Sequence, residues 1–157
     1  MEKQIIIKYS EFSSWKELSE KEVKMVDLAY SICEKAYAPY SKFQVGASIL
    51  LSNGEIVSGN NQENIAYPSG LCAERVALFY AGANFPNHSI QTIVVVAKGD
   101  LLPIDKILSP CGSCRQVMLE SEARQNNVPI RVILVSQNER TIVFDSVYDL
   151  LPLAFGE

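Results

Sequence analysis

The sequence lacks three features that would place it in other classes of protein. Its longest apolar stretches, such as residues 93–97, are far too short to span a bilayer. Only three consecutive apolar side chains precede Lys8, so we expect no secretory signal. Basic residues are not in excess, since 14 Lys and Arg against 18 Asp and Glu give a net charge of −4. We therefore expect a small neutral or cationic ligand, with no membrane and no nucleic acid among the partners.

The chain also lacks internal repeats, low-complexity segments and a Pro/Gly/Ser linker that would divide it. Its 157 residues, 48% of them hydrophobic, suit one compact domain with a substantial core. Residues 1–18 fit no pattern found in the remainder. We predict an N-terminal extension over residues 1–18 and a single domain over residues 19–157.

Strands and helices alternate along this predicted domain after an opening hairpin. Ser19 and Glu22 form a capping-box pattern for a first helix, which should end before Pro39. Further helices should begin at about Cys72, with Gly82 as a C-terminal cap, and at Ser109. Predicted strands cover residues 43–49, 56–58, 93–97, 130–135 and 141–144, the last as a short edge strand. This order predicts an α/β fold with a mixed sheet covered by helices.

Four cysteines allow two disulfides in three connectivities, but reduced thiols are the better interpretation. Cys111 and Cys114 stand three apart at one predicted helix start, and Cys72 stands at another. Three sulfur ligands that leave a fourth position open are typical of catalytic zinc. The positive helix N-termini also favour thiolate over thiol. Cys33, on the apolar face of the first helix, is interpreted as a core thiol.

Glu74 lies two residues beyond Cys72, close to the expected metal without being its ligand. A carboxylate there can move protons between water at the open position and a substrate nitrogen. Three thiolates on Zn²⁺ leave a net charge of −1, and we expect Arg75 to offset it through a hydrogen bond to a thiolate. The alternatives are a structural Cys₃His site that uses His88 and a redox dithiol, neither of which requires Glu74.

Together these motifs resemble the free-nucleoside cytidine deaminases of the small homotetrameric, three-cysteine zinc type. The resemblance covers residues 36–155, and its motifs occur in the family's order. They are residues 38–47 (APYSKFQVGA), 59–64 (GNNQEN), 67–68 (YP), 72–75 (CAER), 109–116 (SPCGSCRQ) and 150–152 (LLP), followed by Phe155. The resemblance implies a three-layer fold with a five-stranded mixed sheet flanked by helices. It also implies one Zn²⁺ per subunit on Cys72, Cys111 and Cys114, with Glu74 as the proton shuttle.

The resemblance further implies how a nucleoside would be held. Asn61 and Glu63 would hydrogen-bond the ribose 3′-hydroxyl, and Phe43 would pack beside the pyrimidine. The backbone N–H of Ala73 would bind the base O2, and the carbonyl of Ser109 would bind the departing amino group. Taken alone, Asn61 and Glu63 fit a solvated loop equally well, and Phe43 fits a core position.

Two further aromatic residues imply shared active sites. Tyr67 and Phe155 would reach the active sites of neighbouring subunits in a homotetramer. Gln62 and Ile65 depart from the family, which more often has an aliphatic and a small residue there. Of the two, Ile65 is the bulkier change, and it could narrow a subunit contact or the pocket.

The function implied is zinc-dependent hydrolytic deamination of cytidine and 2′-deoxycytidine to uridine and 2′-deoxyuridine, with release of ammonia, in cytoplasmic pyrimidine salvage. One alternative is a deaminase of the same fold acting on a cytosine-containing antibiotic such as blasticidin S. A second is a non-catalytic zinc module that binds a protein partner. The last is a nucleic-acid-editing deaminase, which usually has His in place of Cys72 and a more basic surface.

Overall fold

A computed structural model describes residues 1–155 of the chain. Its three α-helices are α1 (Glu20–Cys33), α2 (Ala73–Asn84) and α3 (Gly112–Arg124). Its six strands are β1 (Ser10–Phe12), β2 (Gln44–Leu51), β3 (Ile56–Asn60), β4 (Ile90–Lys98), β5 (Arg131–Val135) and β6 (Thr141–Phe144). Short 3₁₀ helices cover Trp15–Glu17, Tyr67–Ser69 and Val147–Leu150. Within this part of the chain, no helix has the length and apolar character needed to cross a membrane.

The strands form one mixed sheet in the order β1-β6-β5-β4-β2-β3. Strands β4 and β5 pair in parallel, and the other neighbouring pairs are antiparallel. Because β3 and β4 both run antiparallel to β2, they point in the same direction. They end where β2 begins, since Asn60 lies opposite Gly46 and Lys98 lies opposite Gln44.

Helices cover both faces of the sheet, which gives three layers. Strand β4 shows the division: Ile93, Val95 and Ala97 pack in the cluster that contains α2 and α3 side chains. Val94 and Val96 pack in a second cluster with α1. This confirms the prediction that residues 93–97 form a strand buried on both faces. The capping box of Ser19 and Glu22 is also present at the start of α1.

The strand count and one edge were predicted wrongly. The sheet has six strands rather than five, because β1 pairs with β6 through Ser10–Val143, Glu11–Ile142 and Phe12–Thr141. Residues 141–144 are therefore an inner strand and not an edge strand. Arg140 secures this pairing by donating to both carboxylate oxygens of Glu11 at 2.6 and 3.0 Å. The boundary at residue 18 stays a prediction, but the segment before it supplies a strand of the sheet.

The predicted C-terminal cap of α2 was also wrong. Gly82 lies inside the helix, which continues to Asn84. The helix continues because Phe85, just past its end, donates its backbone N–H to Ala81 at 2.8 Å and packs on the core. The hydrophobic contact of Phe85 thus outweighs the tendency of glycine to end a helix.

The close approach of α1 to β2 depends on Gly46. A Cβ atom at this position would lie 2.1 Å from the Ala29 carbonyl oxygen and 2.9 Å from Cys33 Cβ. We expect Gly46→Ala to lower the free energy of unfolding by about 3 kcal/mol, because the backbone of α1 must move to admit the methyl group. Denaturant unfolding of the metal-loaded protein measures this change.

Gly82→Ala is the matched control for this prediction. A Cβ atom there would lie 3.9 Å from Arg124 Nη1, so the added methyl group meets no clash. Because alanine is the better helix former, we expect this variant to gain about 0.5–1 kcal/mol. Equal destabilisation of the two variants would contradict the assigned packing of Gly46.

Candidate active site

Three cysteine sulfurs meet where two helices begin. Cys72 is the N-cap of α2, Cys111 is the N-cap of α3, and Cys114 lies in the first turn of α3. The Sγ atoms of Cys72 and Cys111 are 4.0 Å apart, and those of Cys111 and Cys114 are 3.4 Å apart. All three Sγ atoms lie within 4.8 Å of one another. The structure therefore brings together the three predicted metal ligands.

These sulfur positions fit one zinc ion. Tetrahedral Zn–S bonds of about 2.3 Å place sulfurs roughly 3.8 Å apart, close to the two measured separations. Within residues 1–155, no His, Asp or Glu joins the three cysteines, so the fourth coordination position is open. His88 lies in the loop beyond the C-terminal end of α2, with its ring 6.4 Å from that of Phe85. The arrangement favours a catalytic zinc site over a structural Cys₃His site.

Arg75 lies beside this cluster. Its Nη2 group lies 3.9 Å from Cys72 Sγ, and its predicted role in offsetting thiolate charge stays a prediction. In the chain without metal, the pKa of Cys72 is lowered to about 5. The largest cause is a hydrogen bond from Cys114, and Arg75 acts in the same direction. The pKa of Cys114 is raised, because it donates to Cys72 and is buried. The cluster is thus disposed to hold thiolate charge.

Glu74 is almost completely buried in the first turn of α2, with 4% of its surface exposed. Burial above all, together with the nearby charge of Cys72, raises the pKa of its carboxyl group to about 7, while a hydrogen bond from Cys114 acts against the rise. A carboxyl group with such a pKa both accepts and releases protons near neutral pH. The carboxyl group of Glu74 therefore interacts with the thiols of Cys72 and Cys114, and its role in catalysis stays a prediction.

Asn61 and Glu63 hold the segment that leads into β2. Asn61 Oδ1 accepts from the Val45 N–H at 2.8 Å, and its Nδ2 donates to the Phe43 carbonyl at 2.9 Å. Glu63 accepts from the N–H groups of Tyr40 at 2.9 Å and Ser41 at 3.2 Å, and from the Ser41 hydroxyl. Desolvation raises the pKa of Glu63, but these hydrogen bonds outweigh it and the net pKa is lowered. Both side chains are therefore fixed in place.

The three residues predicted to contact the base lie in different environments. Phe43 is buried, with 8% of its surface exposed, and packs in the same cluster as Ala73. Ala73 is the first residue of α2, so its N–H has no intrahelical partner and is available to a ligand. Ser109 is exposed in the loop before α3, and its carbonyl has no hydrogen bond within residues 1–155. Both groups therefore have unused hydrogen-bonding capacity.

Tyr67 and Phe155 do not reach this cluster from within the single chain. They extend into solvent, with relative exposures of 92% and 90%. Ile65, one of the two departures from the family pattern, is 87% exposed. These three side chains form no part of the core of this chain.

Two polar contributors were missed by the sequence reasoning. Ser41, the hydrogen-bond partner of Glu63, lies 22 residues away in the chain, and no local pattern connects the two. Arg115 lies in the motif at residues 109–116, but the sequence did not predict a role for it. It donates from Nε to the Pro110 carbonyl at 2.9 Å, from Nη1 to the Leu150 carbonyl at 2.8 Å and from Nη2 to Ser109 Oγ at 2.6 Å. Only the motif itself could have drawn attention to it.

The fold and the site define a class of protein. A three-layer α/β domain presents three thiols at two helix N-termini, with a buried carboxyl group beside them and an open coordination position. This combination defines a zinc-dependent enzyme that carries out proton-coupled chemistry on a small ligand.

Comparison with known proteins narrows the class to a family. Residues 19–143 match the model of the cytidine and deoxycytidylate deaminase zinc-binding region. A cytidine deaminase of Sporosarcina psychrophila is 46% identical over 125 residues, which are 79% of this chain and 83% of that protein. A cytidine deaminase of Halalkalibacterium halodurans is 45% identical over 87 residues, 55% of this chain and 61% of that protein. The chain therefore belongs to the cytidine and deoxycytidylate deaminase family.

The solved structures agree with this assignment. The crystal structure of cytidine deaminase from Burkholderia pseudomallei superposes with a TM-score of 0.73 at 35% sequence identity. The superposition covers 88% of this chain and 100% of the Burkholderia pseudomallei chain. A blasticidin-S deaminase of Bacillus cereus is a more distant relative, 27% identical over 141 residues, which are 88% of this chain and 94% of that protein. The α/β fold with a mixed, helix-flanked sheet is thus confirmed.

The contact between Arg75 and Cys72 predicts an effect on metal affinity. We expect Arg75→Met to weaken zinc binding about 10- to 100-fold, because the thiolate charge then lacks its cationic neighbour. Competition with a chromophoric chelator measures this affinity. Cys111→Ser, which removes a ligand, should lower the zinc content further.

Arg124→Met is the control for this prediction. Arg124 lies at the far end of α3 and makes no ion pair within the described part of the chain. Its zinc affinity should match that of the unchanged protein. An Arg75→Met affinity equal to that of Arg124→Met would show that Arg75 does not stabilise the thiolates.

Proposed function

We propose that this chain catalyses the hydrolytic deamination of cytidine and 2′-deoxycytidine to uridine and 2′-deoxyuridine, with release of ammonia. The observation that carries the proposal is the buried Glu74 carboxyl group beside three thiols that leave one metal position open. When bound by Cys72, Cys111 and Cys114, Zn²⁺ supplies Lewis acidity at that open position. Membership of the deaminase family supports the same reaction.

Glu74 is the proton carrier in this proposal. It takes a proton from the attacking water and gives it to N3 of the pyrimidine, which makes C4 more electrophilic. It then takes the remaining proton from the hydroxyl group now on C4 and gives it to the amino group. The C4–N bond breaks as the C4=O bond forms, and ammonia leaves. The pKa of about 7 that burial produces for the metal-free chain agrees with a group that works in both directions.

The substrate contacts follow from the groups that remain free. The N–H of Ala73 binds the base O2, and the Ser109 carbonyl binds the departing amino group. Phe43 packs beside the pyrimidine at the start of β2. Asn61 and Glu63 retain unused donor and acceptor capacity after holding residues 40–45, and they bind the ribose 3′-hydroxyl. This requirement for a free 3′-hydroxyl favours nucleosides over longer nucleic acids.

We include a homotetramer with shared active sites in the proposal. Large aromatic side chains as exposed as Tyr67 and Phe155 favour coverage by another protein surface. In the tetramer they would enter the sites of neighbouring subunits, and Ile65 would lie near such a contact. A cytoplasmic location completes the proposal, because a reducing compartment keeps the zinc-ligating thiols from forming disulfides.

Two alternatives are separated by substrate choice. The relationship to a blasticidin-S deaminase makes an antibiotic substrate the nearest rival, whereas Asn61 and Glu63 favour a ribose. A non-catalytic zinc module has no need of a buried Glu74. A panel of cytidine, deoxycytidine, cytosine, CMP and blasticidin S, followed by ammonia release, decides between them. We expect turnover of the two nucleosides, and turnover of blasticidin S alone would refute the proposal.

The role of Glu74 leads to a direct test. We expect Glu74→Gln to bind zinc normally but to lose about 100- to 10,000-fold in kcat, because glutamine cannot carry the proton. Steady-state ammonia release with measured zinc occupancy tests this. Glu120→Gln, an exposed position on α3, should keep full activity. Substantial residual activity in Glu74→Gln would remove Glu74 from its assigned role.

The shared site is tested by mixing two defective subunits. We expect Phe155→Ala and Glu74→Gln each to have low activity. Hybrids that contain both should be more active than the sum of the parents, because some sites combine an intact Glu74 with a neighbour's intact Phe155. Co-expression with two affinity tags isolates these hybrids.

A control mixture of two other variants shows whether the recovered activity depends on Phe155. Glu74→Gln with Cys111→Ser should show no recovery, since both changes fall on the part of the site that one subunit supplies. If the Phe155→Ala mixture also fails to recover, Phe155 does not act across a subunit boundary.

A further inference from the structure

Arg115 lies next to the metal ligand Cys114, but its guanidinium group binds other parts of the chain. Arg75 contacts the thiol of Cys72, whereas Arg115 donates to Ser109, Pro110 and Leu150. The two arginines near the cysteines therefore differ in their contacts. Arg115 joins the loop before α3 to the 3₁₀ helix Val147–Leu150.

The loop before α3 has few other hydrogen bonds near the three cysteines. Residues 99–111 form no helix or strand, and the N–H of Leu108 is held by Ser136 Oγ at 3.1 Å. Beyond Leu108, the hydrogen bonds that Ser109 and Pro110 form within residues 1–155 all come from Arg115. Proline has no N–H to donate, so the backbone offers little to replace them. The orientation of the Ser109 carbonyl thus depends on one side chain.

The same side chain holds the C-terminal segment. Arg115 Nη1 donates to the carbonyl of Leu150, a residue that is 5% exposed in the core. The next residue, Gln116, donates from Nε2 to the carbonyl of Phe155 at 3.3 Å. Adjacent residues in the first turn of α3 therefore hold both ends of residues 150–155. Phe155 itself is left projecting outward.

We infer that Arg115 is a positioning residue, which sets the Ser109 carbonyl on one side and the segment that carries Phe155 on the other. The inference rests on the roles given above to Ser109 and Phe155. A planar guanidinium is needed because its three nitrogen atoms donate to three different acceptors in fixed directions. A lysine ammonium is a compact charge on a flexible stem and cannot reproduce this fork.

Kinetics of Arg115→Met and Arg115→Lys test the inference at full zinc occupancy. We expect kcat per bound zinc to fall about 10- to 100-fold in both, because small displacements of a positioning group have effects of this size. KM should change less, since the Ser109 carbonyl acts on the departing group. Arg124→Met, on the same helix, should behave as the unchanged protein. A kcat per zinc within twofold of the unchanged protein, or a loss that only follows zinc loss, would overturn the inference.

Hydrogen exchange gives a readout that does not depend on turnover. In zinc-loaded Arg115→Met, the amides of Leu108, Ser109 and Cys111 and those of the non-proline residues in 150–155 should exchange faster together, while those of β4 stay unchanged. Unchanged exchange in either segment would overturn the inference even if activity fell. Failure of the unchanged protein to deaminate cytidine would instead refute the proposed function, and the exchange result would still report on the anchoring role of Arg115.

Discussion

The common direction of β3 and β4 is the constraint on which the site depends. Both strands run antiparallel to β2, so both end at the edge of the sheet where β2 begins. The helices that follow them bring their N-termini together, with cysteine at both N-caps. Three sulfurs that bind one metal ion each carry negative charge and repel one another. The two positive helix ends, Arg75 and the metal ion itself would offset that repulsion.

Burial gives the neighbouring carboxyl group its chemical character. Glu74 lies in the first turn of α2, two residues beyond Cys72, where the helix turns it into the interior. Loss of water makes its charged form less favourable, and the adjacent thiolate acts in the same direction. A residue type that is ordinarily ionised at neutral pH thereby becomes able to exchange protons. The packing of α2 therefore sets both where the Glu74 side chain lies and the pKa of its carboxyl group.

The substrate side of the site is assembled from irregular segments by polar side chains. Asn61 and Glu63 bind the backbone before and within β2, and Arg115 binds the loop before α3 and the C-terminal segment. Residues 40–43, the loop 99–111 and residues 151–155 lie outside the helices and strands. Hydrogen bonds from well-placed side chains supply the rigidity that a positioned binding site requires. Under the proposed function, such hydrogen bonds let a loop direct the Ser109 carbonyl towards the substrate.

The sequence by itself determined that Cys111 and Cys114 share one helix start, that Glu74 follows Cys72 by two residues, that Ser19 caps α1 and that residues 93–97 are buried on both faces. All of these are local patterns, because helix and strand geometry fixes how residues a few positions apart are arranged. Only the tertiary structure decided that Cys72 meets Cys111, that β1 pairs with β6, that α2 runs past Gly82, and that Ser41 binds Glu63 and Arg115 binds Ser109. These outcomes depend on contacts between distant segments, such as Glu11 with Arg140 and Arg115 with Leu150. Local periodicity does not predict such contacts, because they form only when distant segments pack together.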